Sequence, residues 1–167
     1  ARATVILNPG HIGTGDSLSD FDSFPAAPVR HAAPGPAMQM YWTSNSSVFR
    51  ANPDGTGITR VLTYGGNIDD VAIDRAAGKI YMAISSGYGR IVRANLDGTG
   101  VETLLAPSHI SRYGDIVLDP YAGKMYFSNK RDNIIYRADL DGSNVETVIP
   151  ASGTPNNSIG VETVELD

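Results

Sequence analysis

The chain has 167 residues, 13 Lys and Arg against 18 Asp and Glu (a formal net charge of −5), and no cysteine. The acidic balance, without a clustered Lys/Arg stripe, excludes the phosphate-neutralising surface that a nucleic-acid partner requires. The lack of cysteine excludes disulfides, thiolate nucleophiles and Cys-ligated zinc, and no apolar run approaches the ~20 residues of a membrane span, so we expect no membrane insertion.

Residues 1–37 form an N-terminal arm that precedes a repeating pattern. Residues 3–7 are predicted to be a strand, and their Thr-Val-Ile run matches residues 147–149, the last strand of a later repeat. Residues 18–22 are a second candidate strand. Residues 24–37 carry four prolines, which indicates an extended linker.

Three segments of similar sequence follow the arm, at residues 38–78, 79–123 and 124–167. Equivalent positions recur with a period near 44, since Arg50, Arg93 and Arg137 are separated by 43 and 44 residues. Such a period indicates a repeat architecture in which length changes fall in the loops between fixed strands.

Each repeat contributes four short strand-like runs, of which one set is 71–74, 79–84, 90–95 and 101–105. The first run is apolar, as is typical of an inner strand covered on both faces. An Asp-Gly turn joins the third and fourth runs, because Gly takes the positive φ that such a turn requires. No long segment has helical spacing. The predicted fold class is therefore all-β, with three repeats forming β-propeller blades of four antiparallel strands.

Tyr41-Trp42-Thr43-Ser44 opens the first repeat, and an R-A-N-x-D-G-T-G motif lies on the hairpin that follows in the first two repeats. Together with the I-x-L/I-D motif of the inner strand, these residues resemble the YWTD (LDL-receptor class B) propeller repeat. The resemblance covers residues 38–167. Ser44 stands where the family has its closing Asp, and no cysteine-rich module flanks the repeats, so an endocytic-receptor role is not carried over.

The resemblance implies a six-bladed ring, whereas the chain contains three repeats. An open arc would leave two sheet faces exposed, so we expect a partner to close it. The first repeat begins at its second strand, residues 38–43, and residues 161–167 are an unmatched first strand. We therefore expect a homodimer in which residues 161–167 pair with residues 38–43 of the second copy. The alternative is that the chain is one piece of a longer propeller.

Two short motifs are interpreted as non-functional. Gly15-Asp16-Ser17-Leu18 matches the nucleophile motif of the GDSL hydrolases, but the last histidine is His109 and no Asp-x-x-His follows to activate a serine. Residues 139–144 resemble a calcium loop without the Glu that closes an EF-hand, and are interpreted as a turn with side-chain caps. We predict no catalytic residue, no metal and no cofactor.

Arginine and tyrosine recur once in each repeat beside the strand turns. We interpret the Arg50, Arg93 and Arg137 series as a structural clamp, either an inter-blade salt bridge or a carbonyl contact, directed to the Asp74, Asp119 and Asp167 series. Repetition favours a structural role, since a functional site usually breaks the symmetry of a repeat. The equivalent tyrosines at 41, 81 and 126 are predicted to pack within the blades, each with a hydroxyl partner.

Function is expected where the repeats differ. In a propeller, the fourth-to-first connections and the second-to-third hairpins share one side, which we call the loop face, and the uniform Asp-Gly and Ala-Gly turns share the opposite turn face. The loop face comprises residues 45–47, 63–69, 85–89, 106–114, 129–133 and 150–160. Tyrosine beside Asn, Asp and Arg suits a polar or protein ligand. The predicted ligand-binding residues are Tyr64, Asn67, Asp69, Tyr88, His109, Arg112, Tyr113, Asp115, Arg131 and Asn157.

The function predicted from these features is a non-enzymatic, multivalent binding protein. Carbohydrate is the preferred ligand, because planar tyrosine rings and paired polar groups suit sugars, and equal sites around a ring give avidity. A protein or peptide ligand is the first alternative, since the resembling family mostly binds proteins. The second is a propeller-type hydrolase, lactonase or lyase, with Asp70 and Asp115 at the channel mouth as metal or acid/base groups. The chain does not begin with Met, so we expect an exported or extracellular protein, with a cytoplasmic one as the alternative.

Overall fold

The computed structural model describes residues 3–4, 38–87, 89–106, 113–151 and 165–166, which form three four-stranded antiparallel sheets. The first blade consists of β1 (Ala3–Thr4), β2 (Met40–Ser44), β3 (Ser47–Ala51) and β4 (Thr59–Thr63). The second consists of β5 (Ile68–Asp74), β6 (Lys79–Ile84), β7 (Arg90–Asn95) and β8 (Glu102–Leu105). The third consists of β9 (Tyr113–Asp119), β10 (Lys124–Asn129), β11 (Ile134–Asp139) and β12 (Glu146–Ile149). The predicted four-stranded blades are confirmed, and the described residues include no helix that could span a membrane.

The Asp-Gly turns between the third and fourth strands are built by their own side chains. Asp97 Oδ1 accepts hydrogen bonds from the Thr99 backbone N at 2.9 Å and from Thr99 Oγ1 at 2.6 Å, and Gly98 takes a φ of +86°. The same pair of contacts recurs in the first and third blades. This confirms the capped-turn interpretation of residues 139–144, where Asn144 Nδ2 also donates to Asp139 Oδ2 at 2.6 Å.

The first strand of the first blade comes from the start of the chain. Ala3 pairs with Trp42 and Thr4 pairs with Tyr41, in the register that places Ala72 opposite Tyr81 in the second blade. The prediction that residues 3–7 are a fourth strand is therefore wrong, because the register with β2 makes Ala3–Thr4 an inner strand. It occupies the edge of β2 that the exchanged-strand hypothesis assigned to residues 161–167. Of those residues the structure describes only 165–166.

The hydrophobic core lies between the blades rather than within them. Alternate side chains of β6 point to opposite faces, so Ile80 and Met82 pack with Val48 of the first blade, while Tyr81 packs with Phe127 of the third. The second blade is thus covered on both faces. This packing lines up the inner strands β5 and β9, whose loop-face ends carry the polar groups described next.

One of the repeated arginines, Arg93, makes an inter-blade contact, but not to a predicted aspartate. Arg93 Nη1 donates to the Leu140 carbonyl oxygen of the third blade at 2.9 Å, and Arg93 Nε pairs with Glu102 at 2.8 Å. Asp74 instead accepts the backbone N–H of Ala77 at 2.9 Å, and Asp119 caps the equivalent turn. The predicted partner was wrong because the β6–β7 register places Arg93 in mid-strand, away from the turn that holds Asp74.

Candidate functional site at the loop face

Backbone hydrogen bonds hold the loop face together. Tyr64 N donates to the Ser46 carbonyl at 2.7 Å, and Ser85 N donates to the Asn67 carbonyl at 3.1 Å, so the β4–β5 connection is tied to the second-to-third hairpins of the first and second blades. On the turn face, Leu96 N donates to the Gly78 carbonyl at 3.1 Å. The two sets of connections therefore lie on opposite sides of the sheets, as predicted.

Asp69 is the centre of a polar cluster on the loop face between the second and third blades. Its Oδ1 accepts hydrogen bonds from Ser85 Oγ at 2.6 Å and from Asn67 Nδ2 at 3.3 Å. Its Oδ2 lies 3.6 Å from Lys130 Nζ on the β10–β11 hairpin. The structure thus brings together the predicted ligand-binding residues Asn67 and Asp69 with two loop-face residues that were not in the predicted set, Ser85 and Lys130.

Gly114 lets Lys130 reach from the third blade to the second. A Cβ at Gly114 would lie 2.2 Å from Lys130 Cε and 2.6 Å from Lys130 Cγ, so the lysine stem runs directly over the backbone at this glycine. Any larger residue would displace the lysine. The sequence placed Lys130 on the loop face, within residues 129–133, but did not single it out as a ligand-binding residue, because its partner Asp69 lies on another blade.

Asp70 and Asp115 form a carboxyl pair just inside this cluster. Asp70 Oδ2 accepts a hydrogen bond from the Ile116 backbone N at 3.0 Å, and the two side chains are hydrogen-bonded to each other. Ser128 Oγ accepts the Asp115 backbone N–H at 3.0 Å. Burial, and then the hydrogen bond to Asp115, raise the pKa of Asp70 to about 7. Asp70 therefore keeps its proton up to near neutral pH.

The other predicted residues are placed as follows. Tyr113 is 2% exposed, its ring meets Phe127 edge-on with centroids 5.2 Å apart, and burial raises its pKa to about 12. Tyr64 is half-buried against the first core, so neither ring is an open surface. Arg131 is exposed, and its backbone N donates to the buried Asn129 Oδ1 at 3.0 Å. Outside the described residues lie Tyr88, His109, Arg112 and Asn157.

The cluster offers both a negatively charged hydrogen-bond acceptor and a positively charged donor. Asp69 is an acceptor for a cationic or N–H group, Lys130 is a donor, and the Ser85 and Asn67 side chains orient the carboxylate. Within the described residues no group of three or more His, Cys, Asp or Glu could hold a metal ion. The cluster is suited to recognising a charged, polar surface.

No protein-family model and no curated protein matches the sequence. The structure is similar to a chain of the nidogen/laminin complex, with 26% identity and a TM-score of 0.61 over 67% of this chain and 44% of that chain. It is also similar to a putative TolB from Agrobacterium tumefaciens, with 23% identity and a TM-score of 0.55 over 65% and 43%. A Bacteroides thetaiotaomicron VPI-5482 protein of unknown function matches with 20% identity and a TM-score of 0.54 over 68% and 31%.

The matched region of this chain spans less than half the length of these solved chains. Its own features agree with theirs at the level of the fold: antiparallel four-stranded sheets in series, each packed face to face on the next. The three repeats are the blades of a β-propeller.

Proposed function

We propose that the chain is a non-enzymatic, YWTD-type binding module whose ligand is a protein held at the loop face around Asp69. The observation that carries the proposal is an asymmetry between the two faces. On the turn face, the same Asp-to-Thr/Ser cap recurs in every blade. On the loop face, the Asp69–Lys130 cluster joins one pair of blades and departs from the repeat. Departures from a structural repeat are where function is expected.

A protein ligand is better supported than a carbohydrate. The matched structure with 26% identity is that of a complex between two proteins, nidogen and laminin. The carbohydrate prediction depended on exposed tyrosines, but Tyr113 is buried and Tyr64 is half-buried. Paired charges such as Asp69 and Lys130 supply the orientation and selectivity that protein interfaces require.

A second candidate function follows from the carboxyl pair. Asp70, with its pKa at about 7, and Asp115 could serve as the acid and base of a hydrolase or lyase, because an acid/base group is most effective when its pKa lies near the working pH. We place this second because Asp70 Oδ2 is occupied by the Ile116 backbone N–H, a contact that holds two blades together.

The proposal is tested by surface plasmon resonance with laminin and a panel of other matrix proteins as immobilised probes, beside a glycan array. We expect binding to a protein probe, weakened about 10-fold or more by Asp69→Ala or Lys130→Ala. Tyr121→Ala is the matched control, because Tyr121 is fully exposed in a turn-face connection. Binding to glycans alone, or binding that Asp69→Ala leaves intact, would contradict the proposal. Hydrolysis of lactone substrates that Asp70→Asn abolishes would favour the second candidate.

A further inference from the structure

The two observed junctions between blades share one contact, in which an Asp-Gly turn seats on the fourth strand of the preceding blade. A Cβ at Gly98 of the second blade would lie 2.3 Å from the carbonyl oxygen of Val61 in β4. A Cβ at Gly142 of the third blade would lie 2.8 Å from the carbonyl oxygen of Leu104 in β8. Only glycine permits so close an approach of two backbones. The turn and the strand are therefore two halves of a repeated joint.

The arginine beside the turn reinforces each joint. In the second junction, Arg93 Nη1 and the Tyr81 hydroxyl both donate to the Leu140 carbonyl, at 2.9 Å and 3.2 Å, within the turn segment of the next blade. In the first junction, hydrogen bonds from Thr99 lower the pKa of Asp97, and the positive charge of Arg50 lowers it further. In both cases the arginine of one blade faces the Asp-Gly turn of the next.

Each end of the described arc displays one half of this joint. At the first blade, a Cβ at Gly55 would have nothing within 4 Å, although its φ of +81° matches those of the seated turns. At the third blade, Val148 in β12 is 43% exposed, whereas the equivalent Val61 and Leu104 pack against the next blade.

The arginine of the third blade is set for the same contact. Arg137 lies over the Tyr126 ring at 6.0 Å and pairs with Glu146 at 2.7 Å, as Arg93 does with Tyr81 and Glu102. Within the described part of the chain, Arg137 donates to no carbonyl of a neighbouring blade. Arg137 is therefore placed as Arg93 is in the second junction, but it lacks the Asp-Gly turn of a following blade as a partner.

We propose that a second copy of this chain supplies the missing halves. The Asp54-Gly55 turn of one copy seats on the Val148 carbonyl of the other, and Arg137 donates to the carbonyl of residue 53, the position equivalent to Leu140. The two halves lie on the same chain, so the contact is head to tail and is made twice. Two copies suffice for a closed ring. One copy matches 44% of the nidogen/laminin chain, so two copies together correspond to nearly the whole length of that chain. Open blade faces become buried, and no exchange of residues 161–167 is needed.

Native mass spectrometry and light scattering of the 167-residue chain test the proposal. We expect twice the chain mass of 17.7 kDa. Val148→Arg should raise the dimer dissociation constant about 10-fold or more, because the new charge would be buried in the joint. Val145→Arg is the matched control. Val145 is 45% exposed, close to the 43% of Val148. Its equivalents Ile58 and Val101 are exposed in the other blades, so this position lies outside the contact between blades.

Arg137→Ala is a second variant on the same face, and should weaken the dimer without removing apolar surface. Circular dichroism and thermal unfolding of each variant establish that it is folded. A folded wild-type monomer, or equal mass distributions for Val148→Arg and Val145→Arg, would overturn the proposal. So would a mass that grows with concentration beyond two copies, because that would show an open-ended head-to-tail chain.

Discussion

Asp70 connects the protonation of one side chain to the contact between two blades. Its Oδ2 accepts the Ile116 N–H at 3.0 Å, and burial together with the hydrogen bond to Asp115 raises its pKa from 3.8 to about 7. The folded state therefore keeps a proton that the unfolded chain releases near its ordinary pKa. When the unfolded state binds fewer protons, stability falls as the pH rises. The free energy of unfolding should accordingly decrease between about pH 4 and about pH 7.

Replacing Asp70 by Asn should remove this pH dependence, because Asn keeps an acceptor for the Ile116 N–H and has no proton to lose. We expect the wild type to lose stability between about pH 5 and about pH 8, and Asp70→Asn to lose about 1–3 kcal/mol less over the same interval. Urea unfolding at both pH values measures the difference.

Asp97→Asn is the control for this experiment. Hydrogen bonds from Thr99 lower the pKa of Asp97 below 3.8, so its titration is finished before the interval begins. It should change stability equally at both pH values. Parallel pH profiles for the wild type and Asp70→Asn would show that Asp70 does not have a raised pKa in the folded state.

At the scale of strands and turns, the seated glycine controls how closely two blades approach. Gly142 has a φ of +87° and its Cβ position is 2.8 Å from the Leu104 carbonyl, whereas Gly123 has a φ of +68° and nothing within 4 Å. Alanine strains the backbone at both positions, but forces the blades apart only at Gly142. We expect Gly142→Ala to cost about 1–3 kcal/mol more than Gly123→Ala in chemical unfolding. Equal decreases in the free energy of unfolding for the two variants would mean that the Gly142 turn is not packed tightly against β8.

The elements that the sequence predicted correctly are those with local causes. Each Asp-Gly turn carries its own caps, as at Asp97 and Thr99, so the hairpins follow from a few adjacent residues. Strand β1 was assigned to the wrong position because a Thr-Val-Ile run fits an inner or an outer strand equally. Only its pairing with Tyr41 and Trp42, far along the chain, decides between them.

The candidate site was predictable to a smaller extent for the same reason. Asn67 and Asp69 could be placed on the loop face from the sequence because they lie in a variable connection. Tyr113 was expected to be exposed in a loop, but it is the first residue of β9 and its ring points to the core. Which face of the sheet a strand residue points to depends here on the register with β10, which the sequence does not show. The contact between Asp69 and Lys130 depends on how two blades align, which no local pattern records.

At the scale of the whole molecule, the protection of backbone amides from hydrogen exchange should increase with the number of faces of a blade that are packed against another blade. The second blade is packed on both sides, so the amides of β6 should exchange with solvent more slowly than those of β12 at the open end. Hydrogen-exchange mass spectrometry at two protein concentrations measures this. Dilution should speed exchange in β12 and leave β6 unchanged. Uniform acceleration throughout the chain would indicate global unfolding instead of separation of two copies.

The joint between turn and strand has a consequence for how such a protein can change in length. Each described blade has the same kind of fourth strand and the same Asp-Gly turn. A duplicated or deleted repeat would therefore still leave the turn of the first blade able to pack on the fourth strand of the last. Gene duplication would convert the proposed pair of chains into one continuous polypeptide without altering a residue at any joint. Size, symmetry and number of binding sites would then vary independently of the chemistry that holds the blades together.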